Sequence, residues 1–250
     1  MQTIFQRGAM IQISEYIYCD DFVQECYMES RFFPNPYLDY PYLIIENFFT
    51  ADVCDLVVSE IQNSSEADKA MVKSTILNSV VAPSVDEEIR RTGLYKLSDY
   101  IQTMYAANFA KHQSKIETTF SMALTTATQI QALEYLPGDF YIKHADDSSE
   151  ILDKEKNSIG FVCVAPQRKL TTVLFVSSHE AVKTDTTQHS FDGGELIFNY
   201  LYDKNGNQIK LTPKAGDMII FPSNPCFSHE VLPVKSGYRA TLVQWHNCIS

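Results

Sequence analysis

From Thr128 to the C-terminus the chain is patterned as strands. Ile130–Tyr135, Phe140–Ala145, Thr171–Ser177, Gly194–Tyr200, Asp217–Phe221 and Arg239–His246 are short runs rich in β-branched and aromatic residues, separated by turn residues. Leu170–Val176 and Met218–Phe221 are almost continuously apolar, the mark of strands buried on both faces. Six to eight such strands with connecting turns fit a double-sheet jelly roll. The front half supplies helices. Thr50 is an N-cap without a capping box, because Val53 occupies N3, and Val53, Leu56, Val57 and Ile61 form an apolar stripe ending near Gln62. Leu97, Ile101, Met104, Tyr105 and Phe109 mark a second helix of about 15 residues ending near His112. The expected class is mostly β with flanking helices (α+β), the helices packed on one sheet.

Other segments are less constrained. Ile11–Tyr18 alternates like a strand, and Pro34-Asn-Pro36 breaks what precedes it. Residues 1–40 read as an N-terminal extension of unassigned role, an added edge strand or a lid; residues 41–250 read as one domain. Tyr42–Phe48 reads as a strand, Val72–Val81 as a strand or irregular cover, Pro83-Ser84 as a break and Asp86–Arg91 as a short helical turn. Residues 147–167 and 178–191 are long polar connections, either lids or tolerated insertions.

Composition narrows the partners. With 250 residues and a formal net charge of −11, the chain can bury a sizeable core. It lacks the basic balance that nucleic acid or an anionic membrane surface demands. None of its six cysteines forms a Cys-x-x-Cys pair, no signal-like apolar segment opens the chain, and no run approaches the roughly 18 residues of a membrane span. A cytoplasmic protein with reduced thiols is expected. Oligomeric state is left open.

The chemistry-bearing residues begin at His144-Ala-Asp146. On a strand, residues i and i+2 project to one face, so an imidazole and a carboxylate point the same way. His229 follows in the C-terminal strand region. Two histidines and one carboxylate on one face leave three octahedral positions open, the facial triad of non-haem Fe(II) oxygenases. His144, Asp146 and His229 are the candidate metal ligands and catalytic centre. His112, His179, His189 and His246 have no partner spacing.

In this ordered set the chain resembles the Fe(II)- and 2-oxoglutarate-dependent dioxygenases of the prolyl 4-hydroxylase-like branch. The resemblance runs over roughly residues 40–247. It rests on Pro41–Cys54, Tyr135-x-x-Gly138-x-x-Tyr141-x-x-His144-x-Asp146, Arg168-x-x-Thr171, Gly193-Gly194-Glu195, Pro213-x-x-Gly216-Asp217, Phe221, His229, Arg239 and Trp245. It implies Fe(II) at the triad, 2-oxoglutarate as co-substrate, O2, ascorbate in support, and hydroxylation of an unactivated C–H bond of an amino acid or peptidyl residue, with succinate and CO2 as co-products. It assigns Arg239 and Tyr135 to the distal carboxylate of the co-substrate. Many prolyl hydroxylases carry a lysine one position later than Arg239, which loosens the link to prolyl substrates. The guanidinium fork suits that carboxylate, and the spacing from His229 to Arg239 fits two neighbouring strands with Lys235–Gly237 turning between them. Arg168, Tyr141 and Trp245 are candidates for substrate contact. Competing readings are a non-catalytic 2-oxoglutarate or metal sensor, an oxygenase tailoring a small metabolite, and a demethylase.

Overall fold

The computed structural model describes residues 10–21, 23, 26–28, 34–64, 68–69, 75–76, 79–80, 90–155, 157–182 and 189–249. In chain order its elements are β1 (Met10–Gln12), β2 (Tyr18–Asp20), β3 (Tyr27–Met28), β4 (Leu43–Ile45), α1 (Ala51–Asn63), β5 (Arg90–Arg91), β6 (Gly93–Tyr95), α2 (Asp99–Phe120), β7 (Ala123–Ala127), β8 (Gln131–Tyr135), β9 (Phe140–His144), β10 (Ser148–Leu152) and β11 (Ser158–Cys163). There follow β12 (Leu170–Phe175), β13 (Ser190–Gly193), β14 (Leu196–Tyr202), β15 (Gln208–Leu211), β16 (Met218–Pro222), β17 (His229–Val231), β18 (Val234–Gly237) and β19 (Arg239–Ile249). Two-residue ladders at Asp68–Lys69, Thr75–Ile76, Ser79–Val80 and Ser178–His179 complete the strands.

Two facing sheets make the jelly roll. One runs β1-β2-β14-β17-β9-β5, with β15 beside β14. The other runs β4-β16-β12-β19-β8-β6 and on to Asp68–Lys69, with β7 beside β19. The period of two decides where each side chain of the second sheet goes. Along β12 and β19, Val173, Phe175, Val243 and Trp245 enter the core between the sheets, against Phe198, Phe221 and Phe227. Leu170, Leu174, Ala240 and Leu242 face the other way, onto the helices. These strands are buried on both faces, which accounts for their continuous apolar runs.

Both helices lie on that outer face. α1 buries Cys54, Val57, Val58 and Ile61, one stripe at helical spacing. Thr50 occupies its N-cap without a side-chain capping bond. In α2, Ser98 caps the N-terminus by accepting from the Ile101 amide. The helix runs 22 residues, well past His112. The polar Lys111–Lys115 segment hides the continuation, which Ile116 and Phe120 resume by burial. It stops at Ser121, in the left-handed region at φ 53°. Each fully buried apolar side chain contributes roughly 1.5–3 kcal/mol, so this layer fixes the sheet that carries Arg239.

Four further expectations change. Ile11–Tyr18 is not one strand: β1 and β2 form a tight hairpin there, pinned by Ile13 and Ser14 amides donating to the Ile17 carbonyl. Residues 147–167 are largely a β-hairpin, β10 with β11, which pairs with β3 in parallel. Of the Asp86–Arg91 turn, Arg90 and Arg91 form a strand against β9, and residues 86–89 lie outside the described residues. Finally, Val234–Gly237 is itself a strand paired with β13, so His229 and Arg239 stand on facing sheets and not on neighbouring strands. Of Val72–Val81, only the ladder Thr75–Ile76 with Ser79–Val80 is described. The remainder, Pro83-Ser84 and residues 183–188 also lie outside. No helix among the described residues is long and apolar enough to cross a membrane.

Candidate metal centre and co-substrate cavity

The sheet register brings the two histidines together. β9 and β17 are antiparallel neighbours with His144 directly opposite His229, and the ring centroids are 4.3 Å apart. Asp146 lies two residues past the end of β9. Its amide and that of Asp147 both donate to the Ser223 carbonyl at the end of β16. One ligand atom each from His144, Asp146 and His229 falls within 4.8 Å of the others.

The ring tautomers suit a cation. His144 Nδ1 lies 2.9 Å from the Ile142 carbonyl and His229 Nδ1 lies 3.0 Å from the Phe227 carbonyl. Carbonyls only accept, so each Nδ1 carries its hydrogen and each Nε2 keeps its lone pair. Those Nε2 atoms lie 3.8 and 3.9 Å from the two Asp146 oxygens. Burial, followed by the neighbouring His229, lowers the His144 pKa to about 3, which keeps the ring neutral. Burial alone would raise the Asp146 carboxyl. His229, His144, the Thr171 hydroxyl and Arg168 outweigh it and hold the group below its ordinary value. Two imidazoles and a carboxylate make a donor set for Fe(II).

The opposite wall carries the anion anchor. Arg239 is 1 % exposed and sits on the inner face of β19, with Tyr135 directly across on β8. Its guanidinium carbon is 4.5 Å from the Tyr135 ring centroid and 5.3 Å from that of Phe175. Nε donates to the Gly194 carbonyl at 2.8 Å, while Nη1 is buried with no hydrogen-bond partner. Burial pulls this guanidinium below its ordinary pKa, opposed by Tyr135. No carboxylate among the described residues pairs with it. A buried cation with an idle donor fits a bound carboxylate such as that of 2-oxoglutarate.

The triad and Arg239 share one cavity of about 510 Å3, which Tyr135, Tyr141, Arg168 and Trp245 also line. Tyr141 stacks on His144 at 3.5 Å between centroids, and burial pushes its hydroxyl up to about 12. Arg168 lies over the Trp245 ring at 3.8 Å and donates from Nη1 to the Asp146 carbonyl at 3.1 Å. All eight candidate residues therefore meet in one place. The remaining histidines lie apart: His112 on Phe48, His179 on Phe191, His189 beside Tyr238 and His246 on Phe109.

Three contributors escaped the sequence reading. Thr171 Oγ1 donates to Asp146 Oδ2 at 2.6 Å. Its place in Arg168-x-x-Thr171 was visible, but its direction across the barrel was not. The Gly194 carbonyl holds Arg239. Arg90 lines the cavity from β5, in a segment that the sequence presents as a short helical turn.

A jelly roll with a two-histidine, one-carboxylate cluster facing a buried arginine across its interior has the design of a metal-dependent oxygenase. Residues 130–247 match the model of the 2OG-Fe(II) oxygenase superfamily, and the chain is prolyl hydroxylase-like in sequence and fold. It is by class a 2-oxoglutarate-dependent hydroxylase. A protein of Acanthamoeba polyphaga mimivirus named as a prolyl 4-hydroxylase is 24% identical over 197 residues, which are 69% of this chain and 73% of the relative. The fold is shared with a Pseudomonas putida prolyl-4-hydroxylase (TM-score 0.55, 20% identity, 82% of this chain and 91% of that one). It is shared as well with a viral collagen prolyl hydroxylase of Paramecium Bursaria Chlorella virus-1 solved with 2-oxoglutarate (TM-score 0.51, 18% identity, 84% and 96%). A Trichoplax adhaerens prolyl hydroxylase, solved with a peptide of hypoxia inducible factor, matches at TM-score 0.53 and 16% identity over 82% of this chain and 83% of that one.

Proposed function

We propose that the chain hydroxylates an unactivated C–H bond of an amino acid or peptidyl residue, consuming 2-oxoglutarate and O2 and releasing succinate and CO2. One observation carries this reading: the triad faces a buried arginine with an unsatisfied donor across a single cavity. In this reading His144, Asp146 and His229 hold Fe(II), ascorbate supports turnover, and residues 41–250 form a catalytic domain extended by residues 1–40. The protein works in the cytoplasm.

With Fe(II), 2-oxoglutarate and O2 bound, the centre supplies the oxidising power that the side chains lack. The chain's own residues supply the setting. Asp146 stays ionised, His144 stays neutral, and both imidazoles present Nε2 forward. Thr171 holds the Asp146 carboxylate by a hydrogen bond to Oδ2, orienting the group that would hold the metal. Arg239 and Tyr135 orient the co-substrate from its far end, with Phe175 and Phe191 keeping water from that end. The β10–β11 hairpin lends Ser148, Ser149, Glu150 and Phe161 to the cavity wall. Lys143 ties the hairpin to the barrel, donating to Glu150 at 2.6 Å and to Tyr200 at 3.1 Å.

The test is conversion of 2-oxoglutarate to succinate by the Fe(II)-loaded protein with ascorbate, first alone and then with amino-acid and proline-peptide panels. Succinate that disappears in Asp146→Ala supports the reading. If no member of either panel elicits succinate and 2-oxoglutarate does not bind under nitrogen, the reading fails.

A further inference from the structure

Arginine is concentrated on the substrate side of the cavity in a way the reaction above does not require. Arg90 reaches it from β5 and Arg168 from the connection before β12. Neither has a carboxylate partner among the described residues, although the chain carries 31 acidic residues against 20 basic ones. Arg90 is 8 % exposed, and its Nε is buried without a hydrogen-bond partner. Arg168 is half-buried, and its Nε is likewise unpartnered. Leaving such donors idle in a desolvated place costs free energy unless a ligand completes them.

The Arg90 guanidinium lies 4.7 Å from the Tyr141 ring centroid, on a ring that stacks against His144. Both Arg90 and Arg168 bear on the Tyr141 hydroxyl electrostatically. The acidic groups of the cavity are otherwise engaged. Asp146 faces the two histidines, and Glu150 is held by Lys143. Arg239 is separate, on the wall used for the co-substrate.

We propose that Arg90 and Arg168 form an anion subsite for a carboxylate borne by the molecule to be hydroxylated. This rests on the oxygenase reading and specifies its substrate as acidic. An Nε–H with a neighbouring Nη–H presents two donors in one plane, matching two carboxylate oxygens. The source of the carboxylate is either the α-carboxylate of a free amino acid or an acidic side chain of a peptide. Capture beside Tyr141 sets the substrate against the His144 side of the centre, away from Arg239.

Trp245 is the only tryptophan and lies 3.8 Å from Arg168, so its fluorescence reports on the subsite. The full chain is loaded with Fe(II) and 2-oxoglutarate under nitrogen. It is titrated with free L-amino acids and their α-amides, and with proline-containing peptides carrying Glu or Gln beside the proline. The expected result is a saturable change in Trp245 emission with an acidic member and none with its neutral counterpart. The amino-acid arm identifies an α-carboxylate, the Glu/Gln arm a side chain. Arg90→Gln should weaken that binding about tenfold or more, and Arg90→Lys should recover part of it. 2-Oxoglutarate affinity, measured by calorimetry, should stay unchanged in both; if Arg90→Gln loses it, Arg168→Gln takes its place. Equal response to acid and neutral members, no response to any acidic member, or undiminished binding in the variants each overturns the proposal. Failure of the oxygenase reading is recognised separately, by wild-type protein that does not bind 2-oxoglutarate.

Discussion

Thr171 Oγ1 donates to Asp146 Oδ2 at 2.6 Å, and the same hydroxyl lies 2.8 Å from Ser223 Oγ. Ser223 also offers its carbonyl to the Asp146 amide. The carboxylate is thus gripped at its backbone and at its side chain by two strands of the opposite sheet. Thr171→Val keeps the shape and removes the donor. Metal affinity should fall about 10–100-fold, the usual cost of losing a partner behind a ligand. Thr171→Ser should restore most of it. Calorimetric metal titration under nitrogen measures both.

Arg239→Met separates stability from co-substrate binding. The buried guanidinium has an idle Nη1, so replacing it with an apolar chain of similar length removes a desolvated charge. The thermal midpoint of the ligand-free variant should equal or exceed that of wild type. Its 2-oxoglutarate affinity should drop about a hundredfold, and the stabilisation that 2-oxoglutarate gives wild type should vanish. A variant that unfolds earlier yet still binds would contradict this.

Gly194 sits at φ +60°, and a Cβ there would come within 2.9 Å of both Arg239 Cδ and Val234 Cγ2. Gly194→Ala therefore strains the backbone and pushes the arginine from its place. Its main effect should be on the KM for 2-oxoglutarate, raised roughly tenfold, with metal affinity little changed. Separate titrations with metal and with 2-oxoglutarate distinguish this from general destabilisation.

His246 gives the fold an acid sensitivity distinct from that of the metal centre. It stacks on Phe109 at 4.6 Å, and burial lowers its pKa to about 4. The unfolded chain takes up a proton near pH 6.5, but the folded chain does so only near 4. Stability is therefore lost as pH falls from about 6.5 toward 4, by roughly 2 kcal/mol at pH 5 from this residue. His246→Phe should lose less stability between pH 7 and pH 5 than wild type in paired denaturant titrations. Parallel curves would rule this out.

The legible part of the molecule was the part with a period. The apolar runs of β12 and β16 announced strands covered on both faces, and the α1 stripe announced its helix. His144-x-Asp146 and His229 stood out as two histidines and a carboxylate in strand-like segments, and Arg239 came from the family resemblance. What stayed hidden depends on pairing. The β9–β17 register sets His144 against His229, a fact carried by neither strand alone. The β10–β11 hairpin looked like loop because Ser148–Glu150 is polar. Thr171 was a threonine in a strand until the opposite sheet supplied Asp146. Arg90 belongs to a two-residue strand, too short for any pattern.

The pairing of β3 with β11 has a consequence for how the protein is born. Tyr27 meets Gly160 so closely that a Cβ there would lie 3.0 Å from the Tyr27 carbonyl, and Cys19 meets Leu201. Both partners leave the ribosome long after the N-terminal strands do. Those strands wait as open edges on the nascent chain, at the stage when unpaired edges are most prone to stray association. β2 and β3 can be paired only once β14 and β11 exist to receive them.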